Sequence, residues 1–273
     1  MADSQRHSAA YVARCAISHH ADAAHRARRE LLKPSTTNTA IIVAAGEGRR
    51  AGCSKQFRRI AGAPVLVHTL RRFEACASIA RVVLVLPAGE AARFFAGLES
   101  YGLKKVVRIV AGGASRMESV WRGLQATRAT ATSIVAVHDG VRPLVAPTEI
   151  DAVVCAAHET GAALLAAPVT DTIKEVDLAH NVVRTLPRGA LRRALTPQCF
   201  RYDLLRRAYE QAMAEGWEET DDSALVERLG IAVRVVQGSA RNIKITAPED
   251  FLIAEALLRE EMRARGGDSA APV

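Results

Sequence analysis

From residue 39 onward the chain alternates short, continuously apolar runs with longer stretches of helical period. The runs at 40–45, 82–86 and 133–137 have strand length, and between them segments such as 64–76 and 119–127 repeat apolar residues at three- and four-residue spacing. A strand that is apolar on both faces needs cover on both faces, so this rhythm predicts an α/β fold: a mainly parallel sheet with helices on either side. Further strands are expected at 106–110, 163–168 and 233–236, and a long last helix from Pro248 to about Arg263. The stretch 172–191 departs from this rhythm, alternating polar and apolar residues around the turn former Asn181, and reads as a protruding β-hairpin arm. A two-stranded arm cannot bury both its faces alone, so a homodimer formed through the arm is expected.

Residues 1–38, rich in Ala, Arg, Ser and His, read as a basic, disordered extension; 39–265 read as the folded domain and 266–273 as a disordered tail. The extension is loosely like an organelle transit peptide, but a bacterial extension is the reading kept. It holds His7, His19, His20 and His25, and the neighbouring pair His19-His20 is read as part of a solvated or weakly helical extension, not as a metal site.

Charge narrows the choice of partner. Lys and Arg outnumber Asp and Glu by 37 to 29, giving a net charge of +8 that favours polyanions. A nucleic-acid-binding module would need aromatic platforms or a basic helix, whereas aromatics are only 4% and the basic residues are dispersed through loops. No apolar run approaches the roughly 18 residues of a membrane span, and no leader with a cleavage site is visible, so a cytoplasmic protein without membrane partners is expected. The five cysteines, Cys15, Cys53, Cys76, Cys155 and Cys199, are scattered and suit a reducing compartment. Only six of the 37 basic residues are lysines, so a lysine at a motif position is informative.

Several segments carry chemistry. The first strand runs into Gly46-Glu47-Gly48-Arg49-Arg50-Ala51-Gly52-Cys53-Ser54-Lys55-Gln56. Glycines allow backbone N–H groups close approach to phosphates and the cations neutralise them, though a Gly-rich turn with solvated arginines fits the same residues. The spacing matches neither the P-loop nor the dinucleotide fingerprint. Gly112-Gly113-Ala114-Ser115-Arg116-Met117-Glu118-Ser119-Val120 follows a strand and opens a helix, with Ser119 as the expected cap. In His138-Asp139-Gly140-Val141-Arg142-Pro143 a buried strand delivers Asp139 and Arg142 to its C-terminal end, where ligands bind in α/β sheets. There Asp139 suits Mg²⁺ or a hydroxylated substrate, and an ion pair with Arg142 is the structural alternative. Singly, Asp171-Thr172-Ile173-Lys174, Thr196-Pro197-Gln198, Thr220-Asp221-Asp222-Ser223 and Asn242-Ile243-Lys244-Ile245-Thr246 say little; the acids at 221–222 and 249–250 read as helix-start residues.

Taken in order, these seven segments resemble the 2-C-methyl-D-erythritol 4-phosphate cytidylyltransferase family over about 39–258. The resemblance implies a Rossmann-like nucleotidyltransferase core and a dimer whose arms reach the neighbouring subunit. It implies that Arg50, Lys55 and Lys244 bind the CTP phosphates and stabilise the transition state, and that Ala44, Ala45, Gly46, Gly48, Gly113, Ala114 and Ser119 surround the nucleotide. Asp139, Arg142, Thr172, Arg188 and Thr196 then face methylerythritol phosphate, with Asp139 near the Mg²⁺. The implied reaction has the substrate phosphate attack the CTP α-phosphorus with loss of pyrophosphate. It needs no protein nucleophile, only positioning and charge, which the lysines and arginines supply. A related cytidylyltransferase acting on ribitol 5-phosphate shares the nucleotide-side motifs and is the alternative reading. Three local departures from the family pattern are the short spacer between Arg50 and Lys55, the Gly140-Val141 pair after Asp139, and Arg241 before Asn242, where some relatives carry an acid near the metal, so no metal role is assigned to that position.

Overall fold

The computed structural model describes residues 38–46 and 54–267. The expectations placed on 1–37, on Gly48, Arg50 and Cys53, and on 268–273 lie outside the described residues. In chain order the elements are β1 (Thr39–Val43), β2 (Arg59–Ile60), β3 (Ala63–Pro64), α1 (Val65–Glu74), β4 (Arg81–Leu86), α2 (Ala91–Gly97), β5 (Val106–Ala111), α3 (Arg116–Gln125) and β6 (Ile134–Asp139). There follow α4 (Pro147–Thr160), β7 (Ala162–Pro168), β8 (Lys174–Val176), β9 (Val182–Thr185), β10 (Arg192–Arg201), α5 (Tyr202–Glu215), α6 (Asp222–Arg228), β11 (Arg234–Gln237) and α7 (Pro248–Gly267).

Seven strands form one sheet in the order β11-β7-β10-β6-β1-β4-β5. β1 runs parallel to β4 and β6, β4 to β5, and β7 to β11, while β10 lies antiparallel between β6 and β7. The strand alternation divides the core as expected. Ile42, Leu84 and Ala136 pack with Leu66, Leu70 and Phe73 of α1 and with Ile150, Val153 and Val154 of α4. Their neighbours Ile41, Val85, Val135 and Val137 pack on the other face with Val120 and Leu124 of α3 and Leu205, Ala208 and Tyr209 of α5. A smaller cluster seats Phe251, Ala254 and Leu258 of α7 against Ile60, Leu144 and Ile245. Removing some fifty apolar side chains from water at roughly 25 cal/mol per Å² is the main force holding these layers together.

Three placements differ from the sequence reading. The last helix, α7, runs to Gly267, two residues into the stretch read as a tail. Asn38, assigned to the extension, belongs to the folded body: its amide nitrogen donates to Ser78 O at 3.0 Å and its Oδ1 accepts from Ile134 N at 3.0 Å. No strand was expected around Thr196-Pro197-Gln198, which lies in the interior of β10 although a proline interrupts a ladder. It fits because the pairing with β7 shifts between Ala194 and Gln198, so Pro197 falls where no ladder hydrogen bond is made. The 172–191 segment does contain a two-stranded antiparallel sheet, β8 with β9, apart from the main one. Its turn is fastened by Asp177, whose Oδ1 accepts from Asn181 N at 2.8 Å, with His180 at a positive φ of 63°.

Candidate active site

The C-terminal ends of β1 and β6 and the loop leaving β5 open onto a cavity of about 730 Å³. Ala44, Ala45, Gly46, Lys55, Gly113, Ala114, Ser119, Asp139 and Lys244, all singled out in the sequence, line it together. Arg142 and Thr196 lie buried behind Asp139, and Thr172 and Arg188 lie exposed on or beside the arm, away from this cavity. Among the described residues three cations, Lys55, Arg116 and Lys244, share the lining with one carboxylate, Asp139, an excess that suits a polyanion.

The loop before α3 is built for close approach. A Cβ on Gly112 would sit 2.2 Å from the Ala45 Cβ and 2.9 Å from Ser119 Oγ, so only glycine lets the β5 loop lie against the end of β1. The cap of α3 is Ser115, not Ser119: Ser115 Oγ accepts from Glu118 N at 3.0 Å, and Glu118 reaches back to Ala114 N at 2.7 Å. This Ser-x-x-Glu arrangement starts the helix at Arg116, which places Ser119 inside the helix. Ser119 Oγ donates to Ser115 O and accepts from Gly113 N at 3.0 Å. With the N–H groups of Gly113 and Ala114 so engaged, what these residues still offer a ligand are acceptors.

Lys55 belongs to a short 3₁₀ turn, 55–57, and its Nζ donates to Thr246 O at 3.1 Å, while Gln56 Nε2 donates to Gly46 O at 3.2 Å. Both ends of the first loop are thereby tied to the cavity rim. Thr246 is itself fixed by Asp250, whose Oδ2 accepts from Thr246 N, Thr246 Oγ1 and Ala247 N at 2.6–2.8 Å, the helix-start role read from the sequence.

Asp139 is the most constrained group. Its Oδ2 meets Lys244 Nζ at 3.0 Å and Arg142 Nε at 3.3 Å, and its Oδ1 meets Arg116 Nε at 3.3 Å. Burial acts to raise its pKa, but Arg116, Lys244 and Arg142 outweigh it and hold the carboxyl well below the usual carboxylate range. Burial also works against the charge on Arg142, yet a guanidinium stays protonated, and its Nη1 donates to Asn242 O at 2.9 Å.

The backbone of Asp139 is set from behind. His138, wholly buried against Phe73, lies 3.2 Å from Arg142 O through Nε2 and 2.9 Å from Thr196 Oγ1 through Nδ1. Because a carbonyl only accepts, Nε2 carries the proton and Nδ1 accepts from the Thr196 hydroxyl; that oxygen in turn accepts from Asp139 N at 3.2 Å. Burial pushes the His138 pKa down to about 4, in agreement with this neutral form. Thr196 thus fastens Asp139 from inside the sheet, and Asn242 Nδ2 donates to Thr196 O at 2.8 Å.

The sequence reading assigned no role to Arg116 or Tyr209 and only a helix-start role to Asp222, and the structure joins all three to this cluster. Arg116 Nη2 reaches Asp222 Oδ2 at 2.8 Å, and Tyr209 Oη donates to Asp222 Oδ1 at 2.5 Å. Burial opposes the Arg116 charge, but Asp222 and Asp139 outweigh it and raise its pKa. One signal was available: Asp221 and Asp222 are adjacent, and a helix start needs only one of them as a cap.

A cation-lined cavity at the carboxyl edge of a mostly parallel sheet is the site of a nucleotidyltransferase of Rossmann-like fold. Residues 38–260 match the family model of 2-C-methyl-D-erythritol 4-phosphate cytidylyltransferase (IspD), and the chain belongs to that family. Enzymes of that name from Pelotomaculum thermopropionicum and Symbiobacterium thermophilum are each 47% identical to it, over 81% and 82% of this chain and 93% of theirs. The crystal structure of 4-diphosphocytidyl-2C-methyl-D-erythritol synthase from Anaerococcus prevotii is similar at a TM-score of 0.73 and 32% identity, covering 82% of this chain and 96% of that one. The cytidylyltransferase from Thermus thermophilus gives a TM-score of 0.66 at 35% identity, over 81% and 99%.

Proposed function

We propose that the protein transfers CMP from CTP to 2-C-methyl-D-erythritol 4-phosphate, releasing pyrophosphate and forming the cytidine diphosphate-linked sugar alcohol of isoprenoid biosynthesis. The observation that carries this reading is the cavity itself, where among the described residues Lys55, Lys244 and Arg116 share the lining with one carboxylate, Asp139, at the end of β6. The attacking group is the substrate's own phosphate, so the chain supplies placement and charge. Lys55 and Lys244 hold the triphosphate and follow the charge that develops on phosphorus; Arg50, next to the same rim in sequence, is assigned the same task. The segment 44–46, Gly48 and the β5 loop at Gly113, Ala114 and Ser119 enclose the nucleoside. A loop offering acceptors suits the amino edge of cytosine better than the carbonyl edge of uracil.

Asp139 and Arg142 form the floor facing the sugar alcohol, with Thr196 setting the Asp139 backbone. Asp139, which lines the cavity and is kept ionised by its cationic neighbours, is the residue that would hold Mg²⁺. When bound it supplies positive charge to the phosphates. Thr172 and Arg188 serve the methylerythritol phosphate of a neighbouring subunit, the arm crossing a homodimer; the exposed Val176, Leu178, Val182 and Val183 support that docking. Residues 1–37 and the end of the chain fall outside this cytidylyltransferase domain. Among the described residues no helix is long and apolar enough to cross a membrane, and a cytoplasmic setting is proposed.

Pyrophosphate release with CTP and each of two polyol phosphates tests the assignment. Turnover with methylerythritol phosphate and Mg²⁺ is expected, little with UTP; turnover with ribitol 5-phosphate alone would transfer the protein to the other cytidylyltransferase class.

A further inference from the structure

Asp222 stands in the first turn of α6 and is wholly buried, though the cap of that helix is its neighbour Asp221, whose Oδ1 accepts from Ala224 N at 3.0 Å. Asp221 is in turn held by Gln198 Nε2 at 2.8 Å. Asp222 is therefore not needed for capping, and a buried carboxylate is costly unless its partners hold it well. Its partners are Tyr209 Oη on one oxygen and Arg116 Nη2 on the other. Tyr209 is itself locked, stacked on Trp121 with ring centroids 6.0 Å apart.

The consequence falls on Arg116, which hangs between an inner carboxylate at 2.8 Å and the cavity carboxylate Asp139 at 3.3 Å. Arginine and a carboxylate ordinarily close as a two-pronged fork. Here Asp222 draws Nη2 away, so Asp139 receives only Nε from Arg116 and keeps Oδ2 for Lys244 and Arg142. Resting on the functional reading above, we propose that Asp222, backed by Tyr209, is a positioning residue for cytidylyl transfer: it holds Arg116 at the cavity wall and prevents it from closing as a fork on Asp139. Without that pull the fork closes, and both Arg116 and Asp139 leave the orientation the substrates meet.

The test is a double-variant cycle of Asp222→Asn and Arg116→Met, read by steady-state kinetics and melting temperature. Asn keeps the shape of Asp222 and still accepts from Tyr209. Asp222→Asn should lower kcat about 10- to 100-fold, the range seen when a group that orients a site residue is lost, and move KM for CTP far less. Because Asp222 acts through Arg116, the double variant should match Arg116→Met in kcat/KM. Additive losses, or wild-type kinetics in folded Asp222→Asn, overturn the proposal, since a merely structural carboxylate would change stability without this coupling. If Asp222→Asn does not fold, Tyr209→Phe, which keeps the stacking, takes its place with an expected drop of about three- to tenfold and the same two overturning outcomes. Failure of the functional reading looks different: the unsubstituted enzyme would release no pyrophosphate from CTP.

Discussion

The cluster around the end of β6 and the arm with its base present the same kinds of side chain, an Asp, a Thr and an Arg each, in opposite physical states. Asp139, Thr196 and Arg142 are buried, and each is a partner of another or of the adjoining backbone. Asp171, Thr172 and Arg188 are exposed; Arg188 donates to Thr170 O at 2.8 Å, a contact that ties it only to its own segment. The first group is finished by its own chain, so its geometry exists before any ligand arrives. The second lacks the packing that would fix it, as the proposed completion by another subunit requires.

The largest effect should come from removing charge at the finished end. Lys244→Ala is expected to lower kcat by about 10²–10³, the usual loss of one electrostatic donor to a transition state, with little change in melting temperature, because Lys244 is 41% exposed at the side chain. Lys55→Ala should behave alike. Wild-type turnover in either folded variant would remove that lysine from the machinery and weaken the idea that this end alone sets the rate.

The contrast also explains what the sequence could and could not reveal. Strands such as 82–86 were legible because their continuous apolar character allows only burial on both faces, and the arm was legible because its alternation breaks that rule. The motif residues lining the cavity were legible from their order along the chain. Three features were not. Strand β10 was hidden by Pro197, which a register shift accommodates. The α3 cap was misplaced because Ser115 and Ser119 are both plausible until Glu118 is seen to reach back to Ala114. The tie from Asp222 to Arg116 joins residues 106 apart, a pairing no local pattern encodes.

A middling effect is expected on the arm. Arg188→Ala should raise KM for methylerythritol phosphate roughly tenfold to a hundredfold, the value of one charge-assisted hydrogen bond, with kcat and melting temperature less affected. Co-assembled dimers sharpen the comparison. If Arg188 serves the neighbour's cavity, mixing Arg188→Ala chains with Lys55→Ala chains should restore one complete site per mixed dimer, since an intact arm then meets an intact cavity. Mixtures no more active than the separate variants would place Arg188 in its own chain's site, and the arm would lose its distinction from the β6 end.

The smallest effect concerns what keeps the finished end finished. Helix α1 holds the loop after β6 through Thr69 Oγ1, which donates to Gly140 O at 3.0 Å, and Arg72 Nε, which donates to Pro143 O at 2.9 Å. On the same helix His68 is buried, with Nε2 donating to Ile60 O at 2.8 Å. Burial lowers its pKa, with Arg71 and Arg72 adding to the shift against the Ile60 hydrogen bond. A histidine whose folded pKa is lowered takes up its proton more readily in the unfolded chain, so its contribution to stability is present at neutral pH and is lost as pH falls below about 6.5. Melting temperature should therefore decline with acidification from that point, and His68→Gln, which can still donate to Ile60 O, should make the decline shallower. His180→Asn on the exposed arm turn is the control and should leave the slope as it is. An unchanged slope in His68→Gln would show that acid sensitivity arises elsewhere than in the helix that braces the β6 end.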